Sequence, residues 1–285
     1  MESQNFSNSP LRQPASDQSV NWLQRQAAGL LVKLRPEVAA SFLKKALGFK
    51  RTNLVTPEGV FHVDVASCLG YPLLKTGVYE SGMVQVIKTY LKPGNIFVDL
   101  GANEGYFTVI GSQLVEQAGK VIAIEPQSRL QPIIRKNLSL NNCENVTILQ
   151  VLVSDSSTMA NLYISTDMNT GSTSLVKTSR FSLPKEEIQA LTLADVFQQQ
   201  GITTCDLLKV DIEGYEYEAI LGSKELFTSH RVKAIALELH PYHLAKRGLS
   251  EKDIVDFLGS CGYRLSSLGS NTVFISPDYQ SHTAA

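Results

Sequence analysis

The stretch NIFVDLGANEGY at residues 95–106 constrains the fold of this chain more than any other part of the sequence. Its apolar run is short and stops at Asp99, which is typical of a buried parallel strand rather than a helix. Gly101 and Gly105 bracket a tight turn, and the apolar pattern that follows predicts a helix packed against the strand. Because glycine lets the backbone approach a ligand closely, we expect a binding site at the carboxyl end of this strand.

The glycine spacing of the turn separates classes of nucleotide ligand. A dinucleotide fingerprint has glycine at its first, third and sixth positions, but Asn103 and Tyr106 stand third and sixth counted from Gly101. No Gly-Lys-Ser/Thr sequence for binding phosphates follows. Glu125 ends the next apolar run, where an acid can accept both hydroxyls of a ribose. The pattern favours S-adenosylmethionine over NAD; the alternative is a turn that binds nothing.

Apolar runs alternating with helical patterns predict an α/β fold with a doubly wound, mostly parallel sheet. The predicted parallel strands are residues 96–98, 121–124, 146–153, 205–210 and 233–239. Residues 263–268 and 272–275 are predicted to form an antiparallel hairpin at the end. Residues 160–165 are predicted as an edge strand. The polar residues 166–179 are predicted as a loop that either covers the site or is disordered.

The sequence before the predicted sheet divides into two parts, followed by a main domain at residues 77–285. Residues 1–18 are rich in Ser, Asn, Gln and Pro and are predicted to be disordered. Residues 19–76 are predicted to hold two amphipathic helices and a hairpin with its turn at Pro57-Glu58-Gly59. The helical stripes are Val20, Leu23, Ala27, Leu30, Leu31 and Leu34, then Ala39, Phe42, Leu43, Ala46 and Leu47.

The N-terminal region is also basic, with eight basic and three acidic residues through Arg51. Such an excess is typical either of a surface that docks an anionic substrate or acidic partner, or of a solvated helix face. The helices are also candidates for a homo-oligomer contact.

Polar side chains stand near the carboxyl ends of three predicted strands, which indicates one shared site. The pairs are Asp99 with Asn103, Asp211 with Glu213, and Glu238 with His240. Ser154 or Asp155, at the end of another strand, is placed to bond an adenine amino group or to form a plain turn. Lys209 lies within an apolar strand, so we expect a buried structural ion pair with Asp99 or Glu213.

The segments VDLGANEGYFT, AIEP, DLLKVDIEGYEYEAILG and LELH resemble, in this order, the FkbM family of S-adenosylmethionine-dependent methyltransferases. The resemblance covers about residues 77–275, and the D-x-E-G-x-E element at residues 211–216 is its specific part. It implies a Rossmann-like sheet of seven strands with a terminal antiparallel hairpin. It also implies cofactor contacts from Glu80, Asp99, Gly101, Asn103, Glu125, Asp211 and the Ser154/Asp155 strand end.

Methyl transfer to a hydroxyl oxygen of a small molecule or sugar is the function that the resemblance implies. A hydroxyl acceptor needs a base, and His240 is the first candidate by its ordinary pKa, followed by Asp211 and Glu213. The same three side chains are suitable ligands for a divalent cation, although their spacing does not demand a metal. An N-, RNA- or protein-directed methyltransferase and a non-catalytic nucleoside-binding module are the alternatives.

Composition limits the other partners. The chain is 43% hydrophobic and 19% charged, with a formal net charge of −1, which gives no reason to expect nucleic acid. Four widely spaced cysteines form no C-x-x-C pair. The N-terminal segment lacks the apolar core of a signal peptide, and no apolar run is long enough for a membrane span. We therefore expect a cytoplasmic protein, and a small-molecule or glycoside acceptor is what the resemblance implies.

Overall fold

The computed structural model describes residues 20, 22–34, 37–164, 173–174, 185–268 and 271–279. Its helices are α1 (Trp22–Lys33), α2 (Glu37–Ala46), α3 (Gly70–Thr76), α4 (Ser81–Tyr90), α5 (Tyr106–Val115), α6 (Gln131–Leu140), α7 (Leu193–Gln199), α8 (Glu216–Leu221), α9 (Lys224–Thr228), α10 (Pro241–Lys246) and α11 (Glu251–Ser260). Its strands are β1 (Thr52–Thr56), β2 (Gly59–Val63), β3 (Ile96–Leu100), β4 (Lys120–Ile124), β5 (Val146–Leu149), β6 (Leu152–Val153), β7 (Met159–Ile164), β8 (Thr173–Ser174), β9 (Lys185–Leu191), β10 (Cys205–Val210), β11 (Val232–Leu237), β12 (Arg264–Leu268) and β13 (Asn271–Ile275).

A central sheet of seven strands runs in the order β12-β13-β11-β10-β3-β4-β5. The five strands from β11 to β5 are parallel, whereas β13 is antiparallel to β11 and β12 antiparallel to β13. The predicted doubly wound α/β fold with a terminal hairpin is confirmed. The chain winds from β3 to one side through β4 and β5, and to the other side through β10 and β11. A crevice therefore opens at the carboxyl ends of β3 and β10, where such sheets place ligands.

Both faces of the sheet are buried, as the near-continuous apolar strands predict. Phe97 of β3 lies in a core with α4, α5 and α6, whereas the next residue, Val98, lies in a second core with α7, α8 and α11. The hairpin β1–β2 joins the first core through Phe61 and Val63. Because side chains alternate along each strand, one short strand contributes apolar residues to the cores on both faces of the sheet.

Several local predictions need correction. The predicted strand 146–153 is two strands: β5 in the central sheet and β6 in a separate four-stranded sheet of order β6-β9-β7-β8. The predicted edge strand 160–165 corresponds to β7 (Met159–Ile164) of this second sheet, which lies between β9 and β8 rather than at an edge. Strand β9 was not predicted, because its alternation (KEEIQAL) is largely polar. The predicted loop 166–179 lies outside the described residues except for β8.

Helix boundaries also differ in places. Residues 64–76, predicted as part of the hairpin region, contain α3, and α10 was not predicted. Gly222 and Ser223 separate α8 from α9. Glu80, with φ 41°, is the N-cap of α4. Ser250 caps α11, since its side chain accepts a hydrogen bond from the Lys252 amide.

The two predicted N-terminal helices are present as α1 and α2. They pack on each other and on Ala66 through Ala28, Leu31 and Ala40. Their predicted apolar stripes are only partly buried, because Leu23, Leu30, Phe42, Leu43 and Leu47 are exposed. The predicted disordered tail lies outside the described residues. No helix in the described part of the chain is long and apolar enough to cross a membrane.

Candidate functional site

The turn after β3 is shaped by two glycines in the left-handed region. Gly101 has φ +87°, and a Cβ added there would lie 1.9 Å from the carbonyl oxygen of Asp211. Gly105 has φ +83° and is the N-cap of α5. Between them Asn103 has φ 49°, and no described residue donates a hydrogen bond to its buried Oδ1. The turn therefore presents backbone and one unpaired acceptor to the crevice, as a ligand-binding turn requires.

Glu125 lies at the end of β4, directly beside this turn. Its Oε2 accepts a hydrogen bond from the Asn103 amide at 2.9 Å, and its Oε1 accepts one from the Gln127 amide at 3.0 Å. Burial raises the pKa of Glu125 to about 7, although these two amides favour the carboxylate. These hydrogen bonds hold the Glu125 side chain in place at the edge of the turn.

Two cavities meet at Gly101, Glu125 and Asp211, which line both of them. The first is mostly apolar and is also lined by Ile124, Pro126, Val151, Leu152, Val153 and Leu162. The second, of about 110 Å³, is polar and is also lined by Tyr79, Glu80, Asn103, Glu213, Glu238 and His240. An apolar cavity, a carboxylate at the junction and a polar cavity suit a ligand with a nucleobase, a ribose and a charged end.

Lys209 lies beneath the junction as a buried cation. Its Nζ is 3.4 Å from Asp99 Oδ1 and 3.5 Å from Asp211 Oδ2, and it donates a hydrogen bond to the Gly101 carbonyl at 3.3 Å. The predicted pair with Asp99 is confirmed, and the second partner is Asp211 rather than Glu213. Burial disfavours the ammonium, but the Asp211 and Asp99 carboxylates outweigh it and raise the pKa of Lys209. The contacts of Lys209 with Asp99 and Gly101 therefore link the ends of β3 and β10.

His240, which follows β11, is oriented by a buried carboxylate. Its Nδ1 lies 2.8 Å from Oε1 of Glu216, a side chain with no solvent exposure. The same Oε1 accepts a hydrogen bond from the Gly214 amide at 2.9 Å. Because a carboxylate only accepts, Nδ1 carries the proton and Nε2 is the nitrogen free to take one.

The Nε2 of His240 faces three further carboxylates across the polar cavity. It lies 3.9 Å from Asp211, 3.8 Å from Glu213 and 3.9 Å from Glu238. Burial opposes protonation of the imidazole, but Glu216, Glu213 and Asp211 outweigh it and raise the pKa of His240 to about 9. Burial also raises the pKa of Glu238 to about 7, with the charges of Asp211 and Glu80 adding to it.

Most of the predicted site residues line these cavities: Glu80, Gly101, Asn103, Glu125, Asp211, Glu213 and His240. Asp99 lines neither cavity, because it is fully buried against Lys209 and accepts a hydrogen bond from Thr108 at 2.6 Å. Ser154 and Asp155 line neither cavity, although their neighbour Val153 lines the apolar one. The cofactor contacts proposed for Asp99, Ser154 and Asp155 stay predictions.

Two further residues belong to the site. Glu238 was recognised as a strand-end acid but was given no role, and Glu216 was recognised only as the last acid of D-x-E-G-x-E. The sequence signal for Glu216 is that it is the acid with which α8 begins, shortly after β10 ends at Val210. For a cation, the structure brings ligand atoms of Asp211, Glu238 and His240 within 4.8 Å of one another, so Glu238 takes the place predicted for Glu213 in that set.

The sheet order, the glycine turn, the acid after the second strand and the lack of a pyrophosphate fingerprint define the class I S-adenosylmethionine-dependent methyltransferases. The family model of the methyltransferase FkbM domain matches residues 99–265, and the chain belongs to this family. S-Adenosylmethionine is accordingly its cofactor. Asn103 Oδ1, unpaired within the described residues, and the glycine cradle at the cavity junction fit this group.

The comparisons with individual proteins are more distant. Methyltransferase sdnD of Sordaria araneosa is 29% identical over 163 residues, which cover 47% of this chain and 62% of that protein. The chain thus matches less than two thirds of the length of this curated relative. A structure of methyltransferase FkbM from Methylobacillus flagellatus matches with a TM-score of 0.42 and 14% identity, over 88% of this chain and 58% of that one. An S-adenosylmethionine-dependent methyltransferase from Aquifex aeolicus matches with a TM-score of 0.38 and 17% identity, over 71% and 94%.

Proposed function

We propose that this protein transfers a methyl group from S-adenosylmethionine to a hydroxyl oxygen of a small molecule or glycoside. The observation that carries the proposal is the placement of His240 Nε2 in the polar cavity that adjoins Glu125 and the glycine turn. Family membership supports the donor. The acceptor oxygen is inferred from the oriented imidazole, because a hydroxyl must lose its proton as it attacks.

The donor would be held by the residues at and around the cavity junction. The apolar cavity would hold the adenine, and Glu125 would accept hydrogen bonds from the ribose. Glu80 and Asn103 line the polar cavity, which would hold the methionine end. When bound, S-adenosylmethionine supplies a methyl group that is already activated by a sulfonium. The protein therefore needs to align an acceptor oxygen and exclude water rather than activate the methyl group.

The acceptor proton would pass to His240. In the neutral ring Nδ1 donates to Glu216, so Nε2 accepts the proton as the hydroxyl oxygen forms its new bond to carbon. The imidazolium that results is stabilised by Glu216 at 2.8 Å and by Glu213 at 3.8 Å. Glu216 thus acts as a positioning residue that fixes the tautomer, in the manner of an acid behind a catalytic histidine.

Calorimetric titration with S-adenosylmethionine, S-adenosylhomocysteine and NAD tests the donor site, and a screen of glycosides and polyketides with labelled methyl donor tests the reaction. We expect the first two ligands to bind and NAD not to bind. Label on an oxygen of the product supports the proposal. Label on nitrogen would replace it with an N-methyltransferase, and tight binding without any transfer would support a non-catalytic module.

Glu125→Ala tests the ribose contact. We expect the dissociation constant for S-adenosylhomocysteine to rise by about 5- to 150-fold, because hydrogen bonds to a buried charged acceptor are lost. Since the ionised carboxylate is the better acceptor and the pKa of Glu125 is about 7, the wild-type affinity should fall as the pH drops below 7. The variant should lose this pH dependence.

Calorimetry from pH 6 to 8, the range that brackets that pKa, measures both effects. Glu144→Ala, at an exposed acid after α6, is the matched control and should leave the affinity unchanged. An unchanged affinity in Glu125→Ala removes this side chain from the cofactor site.

Glu216→Gln tests the positioning of His240. Glutamine keeps an acceptor oxygen for Nδ1 but removes the charge, so the pKa of His240 should fall from about 9 towards its ordinary value. A base works when neutral, so kcat/KM should rise with pH through that pKa. The rising limb of the profile should therefore move to lower pH by about one unit or more.

The control for this variant is Glu218→Gln on the same helix, where the acid pairs with Arg247 instead of a histidine. A merely structural role for Glu216 would lower the activity without moving the midpoint of the profile. That result would reject Glu216 as a positioning residue.

A further inference from the structure

The two N-terminal helices carry large apolar side chains on their outward faces. In α1, Trp22 is 69% exposed and Leu30 is 73% exposed, and in α2 Phe42 is 73% exposed. Six of the ten large hydrophobic side chains that are exposed in the described part of the chain belong to this short region: Trp22, Leu23, Leu30, Phe42, Leu43 and Leu47. Such a concentration marks an interaction surface rather than the scattered exposure of an ordinary surface.

The orientation of α2 is opposite to that of an ordinary surface helix. Its buried side includes Ala40 and the charged Lys44, whose Nζ donates to Asp64 Oδ2 at 2.6 Å. Lys44 is 5% exposed, so a buried ion pair holds the helix in place while its bulky apolar residues point to solvent. Burying the large apolar residues instead would require rotating α2 about its axis by roughly half a revolution, which would separate Lys44 from Asp64 and leave that carboxylate without its cation.

The charge around these apolar faces is strongly positive. Residues 22–51 contain seven basic side chains and one acidic one, although the net charge of the whole chain is −1. Two of the seven, Lys44 and Arg51, are paired with Asp64 and Glu104. Lys33, at the end of α1, and Lys45 and Lys50, in and after α2, are exposed. Exposed Trp, Phe and Leu beside lysines are the features of helices that lie in the interface of an anionic membrane.

We propose that α1 and α2 dock this protein on the surface of a lipid bilayer that contains anionic lipids. Trp22, Leu30 and Phe42 would enter the boundary between head groups and acyl chains, and Lys33, Lys45 and Lys50 would contact the anionic head groups. A second copy of the chain is a poorer occupant, because a symmetric contact would bring the same lysines face to face. The apolar faces and the positive charge together select the lipid surface.

The docking helices are connected to the site by direct packing. Tyr71 of α3 packs against α1 at Gly29, where an added Cβ would lie 2.6 Å from the tyrosine oxygen. Cys68 and Leu69, just before α3, line the polar cavity. The same short segment therefore supports the proposed membrane face on one side and the cavity wall on the other.

Sedimentation of the full chain with vesicles tests the docking. One set contains phosphatidylcholine alone and the other contains phosphatidylcholine mixed with phosphatidylglycerol. We expect binding to the mixed vesicles, weak or absent binding to phosphatidylcholine alone, and loss of binding as salt is raised. Equal binding to both sets, or none to either, overturns the proposal.

Two variants separate the contributions. The triple change Lys33→Gln, Lys45→Gln and Lys50→Gln should weaken binding to mixed vesicles by about a hundredfold, at about fivefold for each lysine. Trp22→Ala combined with Phe42→Ala should weaken it by at least about tenfold. The control is Met159→Ala with Leu265→Ala, at exposed apolar residues elsewhere.

All these positions are exposed, so the midpoint of thermal unfolding should stay unchanged and confirms that each variant is folded. Analytical ultracentrifugation without lipid is the second measurement. A dimer that dissociates in the Trp22/Phe42 variant would assign the face to a second copy and overturn the membrane proposal, as would lysine variants that bind mixed vesicles as tightly as the wild type.

Discussion

His240→Ala is expected to lower kcat by about 10²- to 10⁴-fold with the acceptor that the methyl-transfer screen identifies, while the affinity for S-adenosylhomocysteine stays unchanged. The physical reason is that no other described group in the lining of the polar cavity is an imidazole with a buried carboxylate behind it. The neighbouring acids are the weaker candidates, because a carboxyl group ordinarily has a lower pKa than imidazole, although burial raises the pKa of Glu213. Single-turnover kinetics with labelled donor measure the chemical step directly.

His243→Ala is the matched control for this variant. The two rings are stacked with centroids 5.8 Å apart, but His243 Nδ1 donates to the Glu213 carbonyl and lies outside the lining of the polar cavity. We expect a much smaller loss of kcat in the control. Normal single-turnover rates in His240→Ala would reject His240 as the base and leave Asp211 and Glu213 as the candidates.

Lys209→Met is expected to cost about 3–5 kcal/mol of unfolding free energy, because it leaves a buried carboxylate without its cation. Asp99 has no solvent exposure, and its Oδ1 has no described partner other than Lys209 at 3.4 Å. A loss of that size corresponds to a fall in Tm of roughly 6–20 °C for a domain of this size. Thermal and urea unfolding followed by circular dichroism measure it.

The double variant Lys209→Met with Asp99→Asn distinguishes a charge effect from a packing effect. Removing the orphaned charge should restore much of the lost stability, so the coupling between the two positions should be large. Lys252→Met, which breaks the exposed pair with Asp256, should leave Tm unchanged. A double variant that is no more stable than Lys209→Met would show that the aliphatic stem of Lys209, rather than its charge, is what the fold requires.

The parts of the fold and site that were predictable are those whose sequence signals lie within a few residues of one another. Strand β3, its glycine turn and Glu125 follow from an apolar run, two glycines and an acid that are close in sequence. Asp211 and His240 were predictable as site residues because parallel strands end at one edge of the sheet.

The remainder depends on contacts that sequence periodicity does not contain. The break between β5 and β6 is set by pairing of β6 with β9, which lies more than thirty residues later. The periodicity of α2 shows that the helix is amphipathic but not which face is covered, and the Lys44–Asp64 pair decides this. Glu216 was missed as a partner of His240 because the two residues come together only when α8 packs beside the end of β11.

The close approach of Gly101 to the Asp211 carbonyl has a consequence for redesign. Two motifs that are more than a hundred residues apart occupy one another's space, since even a methyl group on residue 101 would overlap Asp211. A loop exchange that imports a new D-x-E-G-x-E segment, in order to change the acceptor, must reproduce this backbone path or deform the donor turn. The two segments therefore form one unit for recombination, and a chimera should take both of them from the same parent.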